Sequence, residues 1–75
     1  MFLKLLKTGQ IEVDGQNYQV RYYERRTMRG APRYSGEVLI GTSDRIILDD
    51  DTLTSLESRL ERLVPATIYS RQVAS

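Results

Sequence analysis

Ile11-Glu12-Val13-Asp14-Gly15-Gln16-Asn17-Tyr18-Gln19-Val20-Arg21-Tyr22 is the stretch on which the fold turns. Asp-Gly tolerates the positive φ angles that a two-residue hairpin loop demands. Ile11 and Val13 alternate with polar residues before it, and Tyr18, Val20 and Tyr22 do the same after it. Period two is the mark of a half-buried strand. The spacing predicts strands near 9–13 and 16–25, with Ile11 across from Tyr18 and Val13 across from Gln16.

On the N-terminal side, the spacing of Phe2, Leu3, Leu5 and Leu6 suits a helix turn or a strand bulged at Thr8-Gly9; the strand running into 9–13 is the favoured reading, since glycine inside a strand pattern often marks a bulge. On the C-terminal side, residues 26–33 read as a loop: Gly30 loosens the backbone, and Pro32 removes a donor and pushes Ala31 extended. Tyr34, Val38 and Ile40 resume a strand, Gly41-Thr42-Ser43-Asp44 forms a turn, and Ile46, Ile47 and Leu48 form a short β-branched strand near 45–48. Asp49-Asp50-Asp51 offers acids at a helix start, where the dipole favours negative charge. Asp51 or Thr52 caps, and Thr54 with Glu57 has capping-box spacing. Leu53, Leu56, Leu60 and Leu63 share a helix face, and Pro65 ends the helix at Val64. Residues 66–73, with Ile68, Tyr69 and Val73, read as a last strand.

These elements predict an α+β fold in a single domain, 1–75: a small antiparallel sheet of three to five strands with one helix, about 52–64, packed on one face. Four strands span roughly 19 Å. A helix of that length is about 18 Å long and about 10 Å wide. One such helix cannot roof both sides of the sheet. The other side is polar, is covered by the chain ends, or meets a partner.

Composition narrows the setting. An apolar share of 40% and a charged share of 28% are those of an ordinary globular domain, not a disordered chain. With no cysteine, a small fold has no disulfide to staple it, which points to a reducing compartment and a soluble, cytoplasmic protein. The longest apolar-leaning stretch, Phe2 to Leu6, is interrupted by Lys4, so neither a membrane span nor a signal peptide is expected.

The absence of both histidine and cysteine excludes zinc fingers, thiol nucleophiles and Ser-His-Asp arrangements. The five glycines form no phosphate-binding pattern. Asp49-Asp50-Asp51 lacks the alternation and glycine of a calcium loop, and Tyr69 reads as packing rather than as a nucleophile. The expectation is a protein without catalytic residues, cofactor, metal or small-molecule substrate.

Net charge is +1, but it is unevenly laid out. Residues 18–35 carry five arginines against Glu24, a net of +4, whereas residues 36–57 carry six acids against Arg45, a net of −5. The two blocks suit different faces of the fold, or else pair with each other. If Tyr18, Val20 and Tyr22 face the helix, then Gln19, Arg21, Tyr23 and Arg25 face away, joined by Ser35, Glu37 and Leu39 from the next strand. The candidate binding surface is therefore Arg21, Tyr23, Arg25, Arg26, Arg29 and Arg33. Two partners fit. An uncovered face or edge suits another protein, or a second copy meeting it about a two-fold axis. Guanidinium forks and stacking rings on the hairpin 18–34 suit nucleic acid.

Overall fold

A computed structural model describes the backbone of residues 3–74 and the side chains of residues 3–71. Four strands, β1 (Leu3–Val13), β2 (Gln16–Arg26), β3 (Pro32–Leu39) and β4 (Arg45–Asp50), form an antiparallel sheet in chain order. One helix, α1 (Leu53–Ala74), packs on one side of it. The α+β expectation holds, with four strands and a single helix.

The hairpin between β1 and β2 turns at Asp14 (φ 52°) and Gly15 (φ 81°), the pair of positive φ angles that matches the twist of two antiparallel strands. Its register pairs Ile11 with Tyr18 and Val13 with Gln16, as the alternation requires. β1 does run on from the N-terminal leucines, but the irregularity falls between Leu5 and Lys7, at Leu6, rather than at Thr8-Gly9. Gly9 stays in register opposite Val20, with the Tyr22 ring above it. Displacing one residue at Leu6 turns Leu3 and Leu5 to the side opposite the helix, beside Arg25 and Tyr23. Phe2 lies outside the described residues.

The core lies between the sheet and α1. Tyr18, Val20 and Tyr22 of β2, Val38 of β3 and Ile46 of β4 meet Leu56, Leu60, Val64 and Ile68. Gly36 is part of the fit: a Cβ there would lie 2.5 Å from Leu60 Cδ1, so the bare backbone of β3 is what lets the helix settle onto the sheet.

Four expectations are corrected here. The helix does not stop at Val64, and residues 66–73 are helix rather than strand, because α1 passes through Pro65 to Ala74. Proline removes one backbone bond and costs about 3 kcal/mol in a helix interior. The buried stripe continues on both sides of it through Val64 and Ile68, and Arg71 pairs with Asp44 in the β3–β4 turn. Second, the stripe is Leu56, Leu60, Val64 and Ile68, and Leu63 is left partly exposed. Third, β4 extends through Asp50, so the first turn of α1 carries no acid. Thr52 is the cap: its hydroxyl accepts from the Ser55 amide at 3.2 Å. The loop after β2 is shorter than expected, since β3 already begins at Pro32, opposite Arg26.

At 22 residues α1 is long enough to run the length of the sheet, about 33 Å, but it is still only one helix wide. Among the described residues no strand or helix covers the other face.

Candidate functional site at the open face and edge of the sheet

Strand alternation sorts the charged residues of both blocks. On the open face, Leu5, Tyr23, Ser35 and Asp49 form one cross-strand row, and Thr8, Arg21, Glu37 and Ile47 form another. Arg25 and Arg33 stand directly opposite each other, an arrangement that repels unless anions intervene.

The anions come from the three consecutive aspartates, which alternation deals to opposite sides. Asp49 points to the open face. Its Oδ2 accepts from Arg25 at 2.6 Å and its Oδ1 accepts from the buried Ser35 hydroxyl at 2.5 Å. Asp51 takes Arg33. Asp50 points to the helix side, where it accepts from the Ser55 hydroxyl at 2.7 Å and from Arg59 at 3.1 Å. Those two hydrogen bonds, Ser55 first, hold the Asp50 carboxyl well below its ordinary value, at about 2. The row below is closed by Glu37, which takes Arg45 at 2.8 Å and lies 3.5 Å from Arg21.

Part of the acidic block, Glu37, Asp49 and Asp51, thus pairs with the basic block on the open face instead of occupying a different one. Of the candidate residues, Arg21, Tyr23, Arg25 and Arg33 gather on the open face, and all three of those arginines are matched by carboxylates. Arg26 and Arg29 belong to the tip beyond it. Arg26 donates to the Gly30 carbonyl at 3.0 Å, closing the turn, and Arg29 has no ion pair among the described residues. Asp49 and Ser35, which the sequence did not single out, are the centre of the network. Their pairing depends on the β3–β4 register, which sets them opposite each other.

The same alternation separates the aspartates as metal ligands, and among the described residues no three acidic side chains gather to hold an ion. A shallow groove of about 370 Å³ runs between β4 and α1, lined by Leu48, Arg59, Arg62, Leu63 and Ala66. It is a cleft between packed elements with no nucleophile or acid–base pair in its wall. No helix of the described residues is long and apolar enough to cross a membrane.

The two edges of the sheet differ. β4 is six residues long and is tied at both ends, by Arg59 to Asp50 and by Arg45 to Glu37. β1 is eleven residues long. Leu3 is 57% exposed and Leu5 51%, and Leu6 is exposed beside them. Lys7 ties β1 to the helix: it pairs with Glu57, which raises its pKa, and lies 5.3 Å from the centre of the Tyr22 ring. These leucines are therefore on the surface, at an edge whose backbone has a partner on one side only.

Compared with protein-family models, curated proteins and solved structures, the chain gives no significant match.

Proposed function

We propose that the protein is a small non-catalytic interaction module, working in the cytoplasm, whose partner adds an extended strand to the free edge of β1. One observation carries this reading: the longest edge of the sheet is also where three large apolar side chains, Leu3, Leu5 and Leu6, meet water. An edge strand presents unpaired amides and carbonyls, and strand addition satisfies them while covering neighbouring side chains. The open face is a poorer docking surface. Its arginines and acids already neutralise one another, and stripping water from those pairs costs more than it returns unless every hydrogen bond is replaced. The cysteine-free composition supports the reducing compartment.

The test is a photo-crosslinking amino acid placed at Thr8 on β1 and, in a second variant, at Ile47 on β4, in the cells that make the protein. Adducts from position 8 and none from 47 are expected. Equal capture at both positions, or none at 8, overturns the reading.

Nucleic-acid binding by the hairpin 18–34 is the weaker alternative. Five arginines on phosphates call for a log–log salt slope near −4.5. With Arg21, Arg25 and Arg33 already held by Glu37, Asp49 and Asp51, only Arg26 and Arg29 are left for phosphate, and two contacts give a slope of about −1.8. Tight duplex or single-strand binding with the steeper slope would favour nucleic acid over protein.

A further inference from the structure

We infer that the strand completing β1 is β1 of a second copy, laid antiparallel about a two-fold axis to make a continuous eight-stranded sheet. This rests on the interaction reading above and adds the identity of the partner.

The argument is the distribution of charge left over after internal pairing. At the end of the molecule where β1 begins, Lys4, Arg26 and Arg29 carry no ion pair among the described residues, and Glu24 lies across from Lys4, a net of +2. At the opposite end, where β1 turns into β2, Glu12 and Asp14 are likewise unpaired and carry −2. Elsewhere in the sheet every charged side chain has a partner in place, with Glu37 shared between Arg21 and Arg45. A strand with a basic start and an acidic finish is self-complementary in one direction only. Laid antiparallel on a copy of itself, the start of each meets the finish of the other at both ends. Laid parallel, like meets like.

The bulge allows a register that respects the faces. With Leu6 displaced, Leu3, Leu5, Thr8, Gln10 and Glu12 share the open side, and Lys4, Lys7, Gly9 and Ile11 share the helix side. A two-fold axis at Thr8 then sets Leu3 opposite Glu12, Lys4 opposite Ile11, Leu5 opposite Gln10 and Lys7 opposite Gly9, with every pair on a common face. The lysine stems lie over the small or apolar residues of the partner strand. Both copies of α1 end on the same side of the joined sheet. The contact is isologous and closes on itself. A contact of β1 with β4 of the next molecule would be head-to-tail and open-ended.

Sedimentation equilibrium of the purified chain across a concentration series is expected to show a mass rising to twice the monomer value of 8.7 kDa. Lys4→Glu with Arg29→Glu takes the basic start from +2 to −2, brings acid to acid at both ends of the seam and is expected to return the protein to monomer. Adding Glu12→Lys and Asp14→Asn takes the other end from −2 to +1, keeps a residue that tolerates the positive φ of the turn and is expected to restore the dimer, with circular dichroism confirming that each variant is folded. A chain that stays monomeric at every concentration overturns the inference. So does a dimer that is indifferent to the paired changes at Lys4 and Arg29, or one that the added changes at Glu12 and Asp14 fail to rescue. If the chain is monomeric while a crosslinker at Thr8 still captures another protein, only the second-copy partner falls. If position 8 also captures nothing, the strand-addition reading falls with it.

Discussion

On the helix side of the sheet, Val20, Val38, Leu56, Leu60 and Val64 have lost all contact with water. On the other side, the same strands present Arg21, Arg25, Arg33, Glu37 and Asp49, each matched across the strands by an opposite charge or a hydroxyl. One face is held by close packing, where shape decides, and the other by charge order, where register decides. The difference teaches why the arginine-rich segment that dominates the sequence is not a free basic surface. Alternation sends every second residue of an acidic tail to the same face as the arginines, and the open side becomes a nearly neutral ladder.

The contrast can be broken most forcefully from the packed side. Leu60→Ala leaves a cavity under Gly36 and is expected to cost about 2–5 kcal/mol of unfolding free energy, read by chemical denaturation. Gly36→Ala adds an atom instead of removing one. Leu60 must move away from the new Cβ, at an expected cost of about 1–3 kcal/mol. Gly9→Ala is its control, since the new Cβ would lie an ordinary 3.5 Å from the Tyr22 ring, and a change within about 0.5 kcal/mol is expected. Equal losses at the two glycines would mean that the close approach of helix and sheet is not what requires Gly36.

The charged side is expected to yield less. Asp49→Ala strands the buried Ser35 hydroxyl and leaves Arg25 facing Arg33 across the strands. A loss of about 1–2 kcal/mol is expected, reduced by solvent because Arg25 and Asp49 are each about one-third exposed. Arg25→Ala is expected to cost less than Asp49→Ala, because Ser35 keeps its acceptor. The reverse order would place the weight on the ion pair rather than on the hydroxyl.

The mildest perturbation is protonation. Asp50 has a folded pKa of about 2, below its ordinary 3.8. Its contribution to stability is therefore present above the ordinary value and is lost as pH falls through about 2. A side-chain NMR titration is expected to show that low midpoint, and Ser55→Ala is expected to move it upward. Tyr22 has the opposite sign. Burial raises its hydroxyl pKa, so stability tied to the neutral ring is complete below the unfolded value of about 10 and declines as pH rises past it.

Several features are legible in the sequence. Asp14-Gly15 predicted the hairpin and its register, Tyr18, Val20 and Tyr22 predicted the buried side of β2, and Leu56 with Leu60 predicted the helix face. The candidate site was legible only in part. Arg21, Tyr23, Arg25 and Arg33 do share a face, but the charge of the three arginines is cancelled by residues 16 to 24 positions away. No local pattern records which carboxylate will lie across from which guanidinium.

What the chain determined by itself are the features set by a few neighbouring residues: φ preferences at a turn, period two in a strand, and period 3.6 in a helix. Tertiary structure alone decided the course through Pro65, the bulge at Leu6 and the division of Asp49, Asp50 and Asp51 between two faces. Each of these sets a local preference against a gain made with a distant partner. Ile68 and Arg71 draw the helix past its proline, and Ser35, Arg25, Arg33 and Ser55 draw the aspartates out of a helix start. Burial and pairing across the fold outweigh propensity wherever the two disagree.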